Sequence, residues 1–257
     1  MIFYFSATGN SYYVAYRLSQ ALNEPMISIV ECMKQEHFSF SMWKNETCGI
    51  VTPTYYMGLP TIVEDFLEQV KLHVEKETYC FLVATYGGNC GLVDYAVNTL
   101  LKKQGLLLQG AYSVKMPDVW VPKYDVSDQD AMYAINLAAE TRIIHIVRKV
   151  REKSQEYDMI NHGSLLTYHV YYTNYRKNNT TNHLYVDELA CKGCGLCEEK
   201  CPVNAMKVIN GKAHYVKSSC VMCLGCLHRC PKHAISYDHI SKEHGQYINP
   251  FVKIVDL

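Results

Sequence analysis

Two identical runs of four cysteines constrain this 257-residue chain more than any other feature. Cys191-x2-Cys194-x2-Cys197-x3-Cys201-Pro202 recurs 29 residues later as Cys220-x2-Cys223-x2-Cys226-x3-Cys230-Pro231. Thiolates at this spacing hold [4Fe–4S] clusters. Three sulfurs on a tight loop reach three irons of one cluster. The fourth, ahead of a proline that redirects the chain, reaches the other cluster. The spacing therefore predicts one cluster on Cys191, Cys194, Cys197 and Cys230, and a second on Cys220, Cys223, Cys226 and Cys201. Gly193, Gly195 and Gly225 let the backbone curl close and present N–H groups to sulfur. The competing reading is tetrahedral zinc, which uses spaced cysteine pairs rather than runs of four ending in Cys-Pro. Disulfides fit less well. Met1-Ile2-Phe3-Tyr4-Phe5 reads as a strand entering a core, without the basic and long apolar regions of an export signal. The expectation is a cytoplasmic protein. On that basis the sequons Asn45-Glu46-Thr47 and Asn178-Asn179-Thr180 are chance matches.

Upstream of the cysteines, strand-like and helix-like segments alternate. Ile2–Phe5 is a short apolar run, and 10–22 carries apolar residues at helical spacing. Strands follow at 26–30, 47–52, 78–85 and 106–114. Helices follow Pro60, span 92–101, and run from a Ser127 cap to about Lys153. The last is expected to bury Ala131, Ile135, Ala138, Ala139, Ile143, Ile146, Val147 and Val150. Alternating β and α predicts a parallel sheet with helices on both faces. Residues 154–183 break the rhythm. Their tyrosines (Tyr168, Tyr171, Tyr172, Tyr175) predict an aromatic segment leaning on the first domain, followed by a polar linker. The domains expected are thus 1–153, the 154–183 segment, 184–238 for the cysteine unit, and a 239–257 tail without a recognisable motif.

Lys+Arg and Asp+Glu are both 25, and no basic stripe is present. This disfavours nucleic acid and anionic membrane as partners. No apolar run approaches the roughly 20 residues of a spanning helix.

Between the first strand and first helix lies Ser6-Ala7-Thr8-Gly9-Asn10-Ser11. A helix start offers unpaired N–H groups and a positive dipole end. Ser6, Thr8, Asn10 and Ser11 add neutral donors, and Gly9 permits close backbone approach. There is no Walker lysine. Four donors in six positions point to an anion site rather than to a plain helix cap. This loop resembles the FMN-phosphate loop of flavodoxins, with Ser11 in the place of their last Thr. The whole chain resembles flavodoxin-like domains fused to bacterial-type two-[4Fe–4S] ferredoxin domains. The resemblance implies an α/β, doubly wound five-stranded parallel sheet in the order 2-1-3-4-5, followed by a small α+β ferredoxin domain. It also implies FMN at the strand ends. The ring would be flanked by Thr52-Pro53-Thr54-Tyr55-Tyr56-Met57-Gly58 and by Thr85-Tyr86-Gly87-Gly88. The first of these loops lacks the Trp, and the acidic residue after its glycine, of the flavodoxin pattern. Trp120, after strand five, is a candidate cover for the flavin or for the ferredoxin interface. Cys90 reads as a buried small hydrophobe rather than a reactive thiol.

These features predict an electron-transfer protein of an anaerobe, carrying two [4Fe–4S] clusters and FMN and serving unidentified redox partner proteins. The alternative is an FMN-dependent reductase of a small substrate, fed by the clusters, with Tyr86 or His73 as proton donor. No G-x-G-x-x-G fingerprint supports a nicotinamide domain.

Overall fold

The computed structural model describes residues 1–43, 46–74, 78–160, 162–238 and 241–257. Asn45 of the first sequon lies outside them. A six-stranded, all-parallel sheet runs in the order β2-β1-β4-β6-β7-β8. Its strands are β1 (Ile2–Tyr4), β2 (Met26–Ser28), β4 (Cys48–Pro53), β6 (Cys80–Tyr86), β7 (Leu108–Lys115) and β8 (Tyr157–Asp158). The first five occupy the doubly wound order expected. The sixth corrects the strand count. It comes from the 154–183 segment, and it is held at the edge by Arg142, whose Nη1 donates to Asp158 (2.6 Å).

Successive side chains of a strand point to opposite faces, and both faces here are covered. Phe3, Ile50, Leu82 and Ala84 pack under α3 (Thr61–Gln69) and α4 (Val93–Lys102). Ile2, Val51, Phe81 and Val83 pack under α1 (Asn10–Leu22) and α5 (Gln129–Arg151). The near-continuous apolar runs of β4 and β6 follow from burial on both sides. Helix α5 starts one residue later than expected, because Asp128 rather than Ser127 caps it by accepting from Ala131 N (2.9 Å). Its buried face includes Asn136, whereas Ala131 and Ala138 face solvent. The strand expected at 26–30 stops at Ser28, whose hydroxyl caps the short helix α2 (Ile29–Gln35). A small parallel pair, β3 (Ser39–Ser41) with β5 (Lys71–His73), lies outside the main sheet.

The aromatic segment folds as α6 (Leu165–Lys177), entered through a Ser164/Thr167 capping box. It ties the two halves of the chain together. The Tyr172 hydroxyl donates to Glu64 of α3 (2.8 Å), and that of Tyr175 donates to Val221 O in the second cysteine loop (2.9 Å). The linker is pinned too: Cys220 N donates to Asn179 O and Thr181 N to Ser218 O.

The cysteine unit is small. Hairpin β10 (Met206–Ile209) and β11 (Lys212–Tyr215) separates two short helices, α7 (Leu196–Glu199) and α8 (Gly225–Arg229). Strands β9 (Leu184–Val186) and β12 (Ile235–Tyr237) close the unit as an antiparallel pair. Its core includes Val121 and Val126, from the loop after β7, and Tyr247 from the tail. Among the described residues, no helix is long and apolar enough to cross a membrane.

Candidate functional site

Parallel strands deliver their following loops to one edge, and a ligand crevice opens where the strand order reverses. Here that edge holds a cavity of about 470 Å³, within the range of cofactor sites. Ser6, Ala7, Thr8, Asn10 and Ser11 line it from the loop after β1. Pro53 at the end of β4 lines it with Thr54, Tyr55, Tyr56 and Met57 of the following loop, as do Thr85 and Tyr86 of β6 with Gly87, Gly88 and Asn89 after that strand. The loops expected from sequence therefore converge. Three expected residues, Gly9, Thr52 and Gly58, do not line the cavity but shape it. Gly9 is the left-handed cap of α1 (φ 97°), and a Cβ there would stand 2.9 Å from Asn249 Cβ. Gly58 closes a tight turn with Tyr55 through two 2.9 Å backbone bonds, and Thr52 is fully buried.

The first turn of α1 has no acidic residue, so its positive end is left for an anion. The donors around it are less free than the sequence suggested. Asn10, expected as a ligand donor, spends its side chain on the protein. Its Nδ2 donates to Pro117 O (3.3 Å), and its Oδ1 accepts from Asn249 Nδ2 (3.0 Å) and from the Tyr247 hydroxyl (2.7 Å). The Ser11 and Thr85 hydroxyls share a bond of 2.8 Å. Ser6 Oγ accepts from Gly9 N (3.1 Å) and folds the loop on itself.

The turn after β4 is strained. Tyr56 (φ 47°) and Met57 (φ 71°) both take left-handed backbone, the two-residue type I′ geometry usually given to Asn-Gly. Non-glycine residues accept this where surroundings fix them, and such strain clusters at binding sites. Leu92 N donates to Met57 O (2.8 Å), and Tyr56 is stacked on Tyr175 (5.1 Å) with Trp120 against its edge (5.6 Å). The tyrosines thus pack and line the cavity at once. Tyr86 is buried, which raises its phenol pKa. His73 sits in the small β3–β5 pair, bonded to Ser39, and does not line the cavity. Cys90 is buried, and burial pushes its thiol up to about 11, as expected of an inert cysteine.

The sequence reading missed several walls of the cavity. Met116, Pro117, Asp118, Val119, Lys123 and Tyr124 come from the loop after β7. Burial raises Asp118 above its ordinary carboxylate value, although it accepts from Trp120 N (3.1 Å). Only Trp120 of that loop gave a signal in sequence. More telling, Met222, Cys223 and Leu224 of the second cysteine run form one wall.

Cys197 lies near Cys194, Cys230 and Cys191, and Cys226 lies near Cys223, Cys220 and Cys201. Cys191, Cys194, Cys197 and Cys230 surround a cavity of about 110 Å³. Among the described residues no three cysteine sulfurs stand within 4.8 Å of one another. Backbone N–H groups already point at sulfur: Ala213 N to Cys191 (3.4 Å), Ala205 N to Cys201 (3.2 Å), Met222 N to Cys220 (3.3 Å) and Ala234 N to Cys230 (3.3 Å). Burial and neighbouring sulfurs push Cys197 to about 11 and Cys220 to about 12.

A flavodoxin domain model matches residues 1–143, and a 4Fe-4S binding domain model matches 184–207. Among solved structures, a candidate flavoprotein from Bacteroides uniformis is 15% identical, with a TM-score of 0.35 over 46% of this chain and 90% of its own. Rubredoxin oxygen:oxidoreductase from the anaerobe Desulfovibrio gigas is 15% identical, with a TM-score of 0.35 over 59% of this chain and 36% of its own. No curated protein matches. Matched over more than half its length, the chain belongs to the flavodoxin domain family, here joined to a ferredoxin-type 4Fe-4S binding domain.

Proposed function

We propose that the protein is an electron-transfer flavoprotein that holds FMN in the strand-end cavity and two [4Fe–4S] clusters on the eight cysteines. One observation carries this reading: Met222-Cys223-Leu224 wall the same cavity as the Ser6–Ser11 loop, so a cluster ligand and a flavin site share a boundary. When bound, FMN and the clusters supply coupled one- and two-electron chemistry. The chain's own residues do the rest. Thr8, Ser6 and the N-terminus of α1 hold an anion with neutral donors. Tyr56, Trp120 and Tyr86 exclude water from the ring site. Cys201, Cys220, Cys223 and Cys226 hold the flavin-side cluster, and Cys191, Cys194, Cys197 and Cys230 the outer one, where Cys194 is exposed. That exposure suits exchange with a redox partner protein, in the cytoplasm of an anaerobe. Joining both units in one chain keeps their effective concentration high.

A reductase acting on a small substrate is the second reading. The buried Tyr86 phenol on the cavity favours it, and turnover of a small oxidant that stops in Tyr86→Phe would support it. The primary test is anaerobic purification with iron, sulfide and flavin quantitation. About eight irons and one FMN per chain are expected; zinc in place of iron refutes the cluster assignment. Thr8→Val should weaken FMN binding with iron content unchanged, and unaltered flavin loading refutes the loop assignment.

A further inference from the structure

The two cysteine runs are alike in their cysteines and differ at positions that share one side. At the 29-residue offset, Gly193 corresponds to Met222, Gly195 to Leu224, Leu196 to Gly225 and Lys200 to Arg229. Gly193 and Gly195 are left-handed (φ 64° and 83°), the conformation glycine tolerates. Met222 and Leu224 keep it (φ 54° and 53°) without being glycine. Their side chains are the ones that wall the large cavity.

The exchange at 225 and 229 is coupled in the same way. Arg229 is 5% exposed. A Cβ at Gly225 would meet Arg229 Nη1 at 3.0 Å and the Cys223 sulfur at 3.6 Å, so a leucine like that of the first run would fill the guanidinium's place. The glycine makes room for a cation beside sulfur. The partners of that cation are neutral: Nη1 donates to Lys200 O (3.3 Å), Nη2 reaches Ser6 O (3.5 Å), and buried Nε has no hydrogen-bond partner. Among the described residues no carboxylate lies within 4.0 Å of it. A buried charge without a counter-charge is costly. The Cys223 sulfur and the guanidinium border the same space, the one that a Gly225 Cβ would fill. Its counterpart Lys200 turns away, to Val255 O (3.2 Å) and Glu199 (3.5 Å).

We propose that Arg229 is the fixed counter-ion of the cluster held by Cys201, Cys220, Cys223 and Cys226, and that it raises this cluster's reduction potential above that of its twin. The proposal rests on the cluster assignment made above. Reduction adds one negative charge, which a buried cation stabilises, and low local dielectric magnifies the effect. The cations that line the outer cluster's cavity, Lys192 and Lys232, are exposed to solvent, which screens them. An electron shared by the two clusters would then reside on the side of the cavity walled by Met222, Cys223 and Leu224.

The test is an anaerobic redox titration of the full-length holoprotein, followed by electron paramagnetic resonance, for wild type, Arg229→Gln and Arg229→Lys. In Arg229→Gln one reduction step should fall and the other stay. The sharing equilibrium between clusters should change at least tenfold, ~59 mV for one electron. Arg229→Lys keeps the charge and should shift by less than half as much. Two unmoved steps, equal shifts of both steps, or a shift in Arg229→Lys equal to that in Arg229→Gln would each overturn the proposal. Should Arg229→Gln lose four irons, full iron in Arg229→Lys supports the counter-ion role, and the same loss in Arg229→Lys overturns it in favour of shape. Wild-type protein lacking iron would refute the cluster assignment instead, before any variant is measured.

Discussion

Removing the side-chain amide of Asn249 should loosen the Ser6–Ser11 loop from a distance of 239 residues along the chain. Asn249 is fully buried, as is Asn136 at 1% exposure. Its Nδ2 donates to Asn10 Oδ1 and to Asn136 Oδ1, both at 3.0 Å, and its Oδ1 accepts from Phe251 N (3.0 Å). Asn249→Ala deletes all three bonds. A buried hydrogen bond contributes about 1 kcal/mol net, and an acceptor left short of a donor adds to the loss, so the cost is ~2–3 kcal/mol. For a chain of this size each kcal/mol is worth about 2–4 °C, which places the expected fall in the thermal midpoint near ~5–10 °C. The backbone tie from Asn249 N to Thr8 O (2.8 Å) survives the substitution. The tail therefore stays docked, and the effect falls on the orientation of Asn10. Flavin affinity, read by quenching of FMN fluorescence, should weaken about tenfold, or ~1.4 kcal/mol. Asn249→Asp is the sharper variant. It keeps the shape but sets a carboxylate against two carbonyl oxygens, so it should cost more than alanine. A midpoint within 1 °C of wild type for both variants, with unchanged flavin affinity, would refute the reasoning.

Two further outcomes follow from the same contacts. Cys201→Ser and Cys223→Ser sit in different runs yet serve one cluster, so each should retain about four irons with the same residual spectrum; different residual spectra would mean that the fourth ligand is not exchanged. Arg142 holds the Asp158 carboxyl below its ordinary value through a hydrogen bond at 2.6 Å. A depressed carboxylate stabilises above the unfolded value and loses that contribution as pH falls through the folded one. Asp158→Asn should therefore lower the thermal midpoint at neutral pH, and the gap to wild type should close below about pH 4.

Much of this fold was legible because its signals are local. A strand buried on both faces must be largely apolar, and Cys80–Tyr86 is, apart from Thr85. A loop before a helix that offers hydroxyls and no charge suits an anion. Eight cysteines at fixed spacing admit few chemistries. What escaped were features whose cause is distant in sequence. The tail after residue 239 has no motif, because Tyr247 and Asn249 act through partners such as Asn10 and Asn136, which the chain brings back to them. Asn10 looked like a donor for a ligand; only the fold shows its amide already engaged. Likewise β8 is two residues long and exists because Arg142 and Ser113 hold that stretch against β7.

The repeat itself marks the boundary of what sequence alone can carry. Its eight cysteines are visible as a pattern of identities, whereas its function lies in the departures from identity. Glycine at 193 and 195 needs no explanation in a left-handed turn. Methionine and leucine at 222 and 224 do, since holding such residues there costs of order 1–2 kcal/mol each. Here the two residues wall the cavity lined by Thr8, Tyr56 and Trp120, and packing there offsets the strain. A duplicated unit whose second copy accepts strain on one side has been fitted to a neighbour on that side, and the neighbour here is the strand-end edge of the parallel sheet.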